Sequence, residues 1–145
     1  MGFSEVFVAT HKDALVHAGK LEAGARAGAG NVRLEAISDF EIEQLGGIAG
    51  AAVHAAGADF ELTMVDVSSD SLMGVPESMV RALADLLTYE PDGDTDVLVD
   101  VAAAWAAEED MPFGAQDAAM HVRKLAELAA TVNPAERTGL YVWSD

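Results

Sequence analysis

The chain has no cysteine, few aromatic residues (five Phe, two Trp and two Tyr in 145) and only eight Lys and Arg against 25 Asp and Glu. Without cysteine there is no disulfide framework, no thiolate nucleophile and no thiolate ligand for zinc. That composition fits a reducing cytoplasm, which is the expected location. Few aromatics and abundant alanine predict a core of small side chains with scattered Leu, Val and Met. No apolar stretch approaches the roughly 20 residues needed to span a bilayer. The longest, residues 97–107, is interrupted by Asp100. The opening MGFSEV has no basic segment before an apolar run, so no signal peptide is expected. Val6 stands where a myristoylation pattern needs Ser or Thr.

The shortage of basic residues is uneven. Between Glu35 and His121 lie nineteen carboxylates and a single basic residue, Arg81. Most of the net charge of −17 therefore sits in one continuous part of the chain. A field of that sign repels nucleic-acid phosphate and anionic membrane, so neither is expected as a partner, and it attracts cations, basic proteins and basic peptides. The apolar fraction of 51% argues against disorder despite the charge. A chain of 145 residues is expected to form one globular domain, 1–145, with a real core. Only three Lys occur, alongside abundant Ala and Asp. That bias also suits a salt-adapted cell, in which an acidic surface serves solubility alone.

Local patterns set the order of elements. Residues 5–10 (EVFVAT) read as a strand, 12–20 as a short helix, 24–30 (GARAGAG) as a loop and 32–37 (VRLEAI) as a second strand. The loop is not preceded by a strand and followed by a helix, as a dinucleotide turn requires. Ser38-Asp-Phe-Glu41 is a capping box that opens a helix to about Ala56. Phe40, Leu45, Ile48, Ala49, Ala52 and Val53 form its apolar face, and Gly46, Gly47 and Gly50 point to close helix packing. Residues 60–67 (FELTMVDV) alternate as a strand, with Phe60, Leu62 and Met64 on one side. Pro76 opens the next helix, with Met79, Val80, Leu83, Leu86 and Leu87 as its stripe. A helix from Asp96 to about Glu109 turns Leu98, Val101, Ala102 and Trp105 inward. A last helix over about 115–132 packs through Ala118, Val122, Leu125, Leu128 and Ala129, and residues 139–143 (GLYVW) return to the sheet. The expected fold is α+β: a small mixed or antiparallel sheet of about four strands packed against four to five helices.

Few residues carry a chemical signature. Asp92, Asp94 and Asp96 alternate as calcium loops begin, and hard cations need such converging oxygens. An EF-hand would need Gly at Val97 and Glu at Ala103, so the candidate is a non-EF metal site or a solvated turn with an Asp cap. Glu108, Glu109 and Asp110 close a helix whose C-terminus already carries partial negative charge, an arrangement that a basic partner or a cation would relieve. Tyr141 and Trp143 share one side of the last strand. With Leu140 and Val142 facing the core, the two aromatics would form an exposed protein-binding edge; helices on both faces would cover them instead. His11 and His17 are six apart, which is not the spacing that brings two ligands together on one helix face. His54 and His121 lie beside the packing faces of their helices. No nucleophile elbow and no P-loop occur, and no cofactor is expected.

The leading expectation is a non-enzymatic acidic module that engages a basic protein or peptide, as an immunity- or antitoxin-like inhibitor or a charge mimic would. The candidate contact residues are Glu108, Glu109, Asp110, Tyr141 and Trp143. The alternatives are a small enzyme or small-molecule binder with a pocket near His54 and His121, and an acidic housekeeping domain. Nothing in the chain fixes an oligomeric state.

Overall fold

Strand β1 (Phe3–Thr10) is apolar on both of its sides, the pattern of a strand covered above and below. It lies inside the sheet, antiparallel to β2 (Val32–Glu35) on one side and to β5 (Thr138–Ser144) on the other. Beyond β5 come β4 (Leu72–Gly74) and the edge strand β3 (Thr63–Met64), so the order is β2-β1-β5-β4-β3, with every neighbouring pair antiparallel. The computed structural model describes residues 3–23, 32–35, 37–53, 62–65, 71–88, 97–108 and 111–144, with backbone alone at 39 and 134.

Two layers of helix cover this sheet unequally. Helix α1 (His11–Glu22) starts directly from β1, capped by Thr10, whose Oγ1 accepts from the Asp13 N–H at 3.2 Å. It folds back and presses Ala14, Ala18 and Leu21 onto Phe7, Leu72 and Trp143. The opposite face carries α2 (Asp39–Ala52), α3 (Glu77–Asp85), α4 (Val97–Ala106) and α5 (Ala115–Ala130). The larger core forms there, from Val6, Leu34, Leu140 and Val142 of the sheet and from Leu45, Met79, Leu83, Val101, Trp105, Val122 and Leu125 of the helices. Trp105 is fully buried, and its indole N–H donates to the Glu41 carbonyl at 2.9 Å, tying the end of α4 to the start of α2.

The fold is α+β, with five strands rather than about four. Leu72–Gly74 adds the unforeseen one, in a stretch that carried no strand pattern. Of the expected 60–67 strand, the described residues contribute only Thr63–Met64, and Met64 is exposed because it sits at the sheet's outer edge. Phe40 also departs from expectation: it is 63% exposed. Ile42 takes the inward place, and two residues along a helix is a rotation of about 200°, which turns Phe40 outward. Gly46 behaves as expected, since a Cβ there would lie 2.7 Å from Met79 Sδ, whereas one on Gly47 would meet nothing.

Candidate functional site

The acidic stretch builds the helix-covered face. Among its residues with described side chains, four carboxylates have work within the fold. Arg33 Nε donates to Glu35 at 2.9 Å, and an Arg81 guanidinium nitrogen donates to Glu77 at 2.8 Å. Glu41 accepts from the Ser38 hydroxyl and, at 3.3 Å, from the Ser38 N–H, as the capping box foretold. Glu43 accepts from the Leu62 N–H at 3.0 Å and so moors β3 to α2. Asp85, Asp100, Glu108 and Asp117 have no hydrogen-bond or ion-pair partner among the described residues. All four stand at helix ends: the close of α3, the first turn of α4, just past α4, and the first turn of α5. Asp100 and Asp117 suit the positive dipole end, while Asp85 and Glu108 oppose the negative one.

Glu108 marks the corner between α4 and α5. Its N–H reaches back to the Trp105 carbonyl at 3.1 Å, so the turn holds it close to the core. Trp105 packs edge-on to Phe113 at 5.2 Å, and Phe113 lies 5.0 Å from the His121 ring. Burial lowers the His121 pKa from its ordinary value, the nearby Lys124 lowers it further, and Asp117 pulls the other way. His121 is a half-buried imidazole tilted against the Phe113 ring. The structure supplies no view of His54, Glu109, Asp110, Asp92, Asp94 or Asp96, all of which lie outside the described residues. Among the described residues no group of three or more His, Asp or Glu is placed to hold a metal ion.

The α1 face carries a constellation that the sequence reading passed over. Glu5 is 0% exposed, and its Oε2 pairs with Nε2 of His17 from α1. The strand register sets Glu5 between Arg33 and Trp143 in one row. His17 also meets Phe7 edge-on at 4.6 Å, and Phe7 stacks on Tyr141 at 6.0 Å. Arg33 lies over the Phe3 ring at 3.8 Å. A signal was present: a strand apolar on both sides is covered on both, so a carboxylate in it must be paired. Its partner lies 12 residues on, in the helix that turns straight back over the strand.

This face also corrects the expectation of an exposed aromatic edge. Tyr141 and Trp143 do share a side, but α1 covers it. Trp143 is 5% exposed, packed against Phe3 at 5.5 Å, and its Nε1 has no hydrogen-bond partner among the described residues. Tyr141 is half-buried, and burial raises its pKa from the ordinary value. Glu108 belongs to the helical side and the two aromatics to the other, so the sheet separates them.

Comparison with family models, curated proteins and solved structures returns no match. Among the described residues no helix is long and apolar enough to cross a membrane.

Proposed function

We propose that this chain is an acidic binding domain that engages a basic protein or peptide through its four-helix side. The observation that carries the reading is the division of charge across the sheet. The stretch with nineteen carboxylates and one Arg supplies α2, α3, α4 and the start of α5. Its one Arg is already paired with Glu77 on its own helix. Lys12, Lys20 and Arg33 lie on the α1 side, on α1 and in the row beside Glu5, while Arg123 and Lys124 lie on α5 of the helical side. The four helices of that side carry eight carboxylates and three Arg or Lys, a net negative charge that would steer and hold a cationic partner. An inhibitor of a basic toxin or enzyme, and a mimic of nucleic-acid charge, are the two forms this chemistry suits.

The test uses the whole chain as bait at low and high NaCl beside a variant carrying Asp85→Asn, Asp100→Asn, Glu108→Gln and Asp117→Asn. A basic partner that is released by salt and lost from the variant supports the reading. A partner retained equally by both proteins, or no salt-sensitive partner at all, contradicts it.

A further inference from the structure

Helix α4 departs from the pattern of its neighbours. Helix α3 turns Glu77, Arg81 and Asp85 outward, and α5 exposes Gln116, Asp117, Arg123, Lys124 and Glu127. A helix with one face on a core and the other in water carries polar or charged residues on the wet face. In α4 nine of the ten residues are apolar, and Asp100 is the exception. Leu98, Val101, Ala102 and Trp105 are buried, while Val99, Ala103 and Ala104 are exposed beside Asp100. Val99 is 45% exposed. The helical turn carries on to Ala107, whose N–H donates to the Ala103 carbonyl at 3.0 Å, and Ala107 is exposed as well.

Val99, Ala103 and Ala107 are spaced i, i+4 and i+8, a single row about 12 Å long. Phe40 stands at the far end of that row. It precedes Glu41, whose carbonyl accepts from the Trp105 indole, so the start of α2 lies beside the end of α4. The Phe40 ring is 63% exposed there. Asp100 follows Val99 at one end of the row, and Glu108 follows Ala107 at the other. Neither carboxylate has a hydrogen-bond or ion-pair partner among the described residues.

Charge decides which occupant suits this face. A second copy of the chain would bring another net charge of −17, and an anionic membrane is repelled for the same reason. A cationic protein segment is attracted. Shape decides its form. The small side chains of Ala103 and Ala107 let a second helix approach to about 8 Å between axes, and a row at i, i+4 spacing is a ridge that the grooves of another helix accept. A strand would need free backbone groups to pair with, and a helix interior has none to offer. We infer that the outward face of α4, with Phe40 at its end, seats an amphipathic basic helix of a protein partner. Its apolar side chains lie along Val99, Ala103 and Ala107, and its Lys or Arg side chains, about two turns apart, reach Asp100 and Glu108. The seat rests on the basic-partner reading and gives it a place and a shape.

The probe is an acetylated, amidated peptide of about 18 residues, about five helical turns, with leucine at alternating third and fourth positions and lysine and alanine elsewhere. A control peptide has the same composition in an order that spreads the leucines round the helix. Both are titrated into the full chain at low salt by calorimetry and by backbone amide shifts. The striped peptide should bind at least about tenfold more tightly than the control, with shifts centred on 99–107 and on Phe40. The double variant Val99→Gln, Ala103→Gln keeps the net charge and places good helix formers at exposed positions, so it should fold, as circular dichroism would check. It should weaken the striped peptide about tenfold and leave the control peptide unchanged. The double variant Asp100→Asn, Glu108→Gln should weaken both peptides. Equal binding of the two peptides, weakened by the carboxylate variant but not by the glutamine one, would overturn the α4 seat and leave the basic-partner reading standing. Tight binding of the striped peptide with shifts confined to another face would do the same. Binding of neither peptide, or binding that the carboxylate variant does not weaken, would overturn both.

Discussion

The two faces of the sheet handle charge in opposite ways. On the α1 side a carboxylate is taken fully out of water and matched by an imidazole, within a cluster of Phe3, Phe7, Tyr141 and Trp143. On the four-helix side charge stays at the surface, at helix ends, with four carboxylates lacking partners among the described residues. A pair whose carboxylate is buried is screened less by salt than one that water reaches on both sides. A field of exposed carboxylates is soft, screened, and available to whatever approaches. The first arrangement builds the fold and the second leaves a function open.

Breaking the α1-side pair is expected to have the largest effect on stability. His17→Ala removes one partner of a carboxylate that is 0% exposed, and taking a hydrogen-bond partner from a buried acceptor costs about 1–3 kcal/mol. Replacing both groups with leucine should recover much of that loss, since an apolar pair needs no compensation. Urea unfolding of the single and double variants checks both statements. If His17→Ala unfolds at the same urea concentration as the native chain, the pair is not structural.

Glycine substitutions on the helical side are smaller and should differ by neighbour. Gly47→Ala places a methyl in open space within α2, and it should stabilise by about 0.5–1 kcal/mol through helix propensity. Gly46→Ala gains the same propensity but must push Met79 aside, so it should fall short of Gly47→Ala by about 1 kcal/mol or more. Equal stabilities would mean that α2 and α3 are not in the close contact described.

The two faces should also respond to opposite ends of the pH scale. His121, on the helical side, has its pKa lowered by burial, with Lys124 adding to the effect and Asp117 opposing it. A group whose folded pKa lies below its unfolded value contributes stability above the unfolded pKa, here the ordinary 6.5, and loses it as pH falls through the folded one. Tyr141, on the α1 side, has its pKa raised by burial above the ordinary 10.0. Its contribution is present below that pH and is lost as pH rises through the folded value. Thermal melts across acid and alkaline pH should show a His121→Gln variant less sensitive on the acid side alone, and a Tyr141→Phe variant less sensitive on the alkaline side alone. Both shifts belong to partly exposed groups, so each change should be small.

The sequence was most readable where one periodic pattern met one kind of environment. The stripes of α4 and α5 face inward as spaced, and Trp105, Val122 and Leu125 are buried as expected. The reading failed where tertiary context decided. Phe40 is apolar, yet it sits on the wrong side of α2 from Ile42. Leu72–Gly74 is too short to show a period, and it is a strand because β5 and β3 lie on either side of it. Glu5 and His17 each look ordinary alone, and their pairing appears only when α1 folds back over β1. For Tyr141 and Trp143, which side they share was legible, whereas what covers that side was not, because twelve residues of weakly patterned helix supply the cover.

With one Arg among nineteen carboxylates, the acidic stretch is expected to repel itself in the folded chain. Salt shortens the Debye length from about 30 Å at 0.01 M to about 3 Å at 1 M, so screening should relieve that repulsion. The direct measurement is the melting temperature of the native chain between those NaCl concentrations, with a neutral osmolyte as control, beside the variant neutralised at Asp85, Asp100, Glu108 and Asp117. The melting temperature should rise with NaCl in the native chain and rise less in the variant. A native melting temperature that is flat or falls with NaCl would contradict self-repulsion of the acidic stretch.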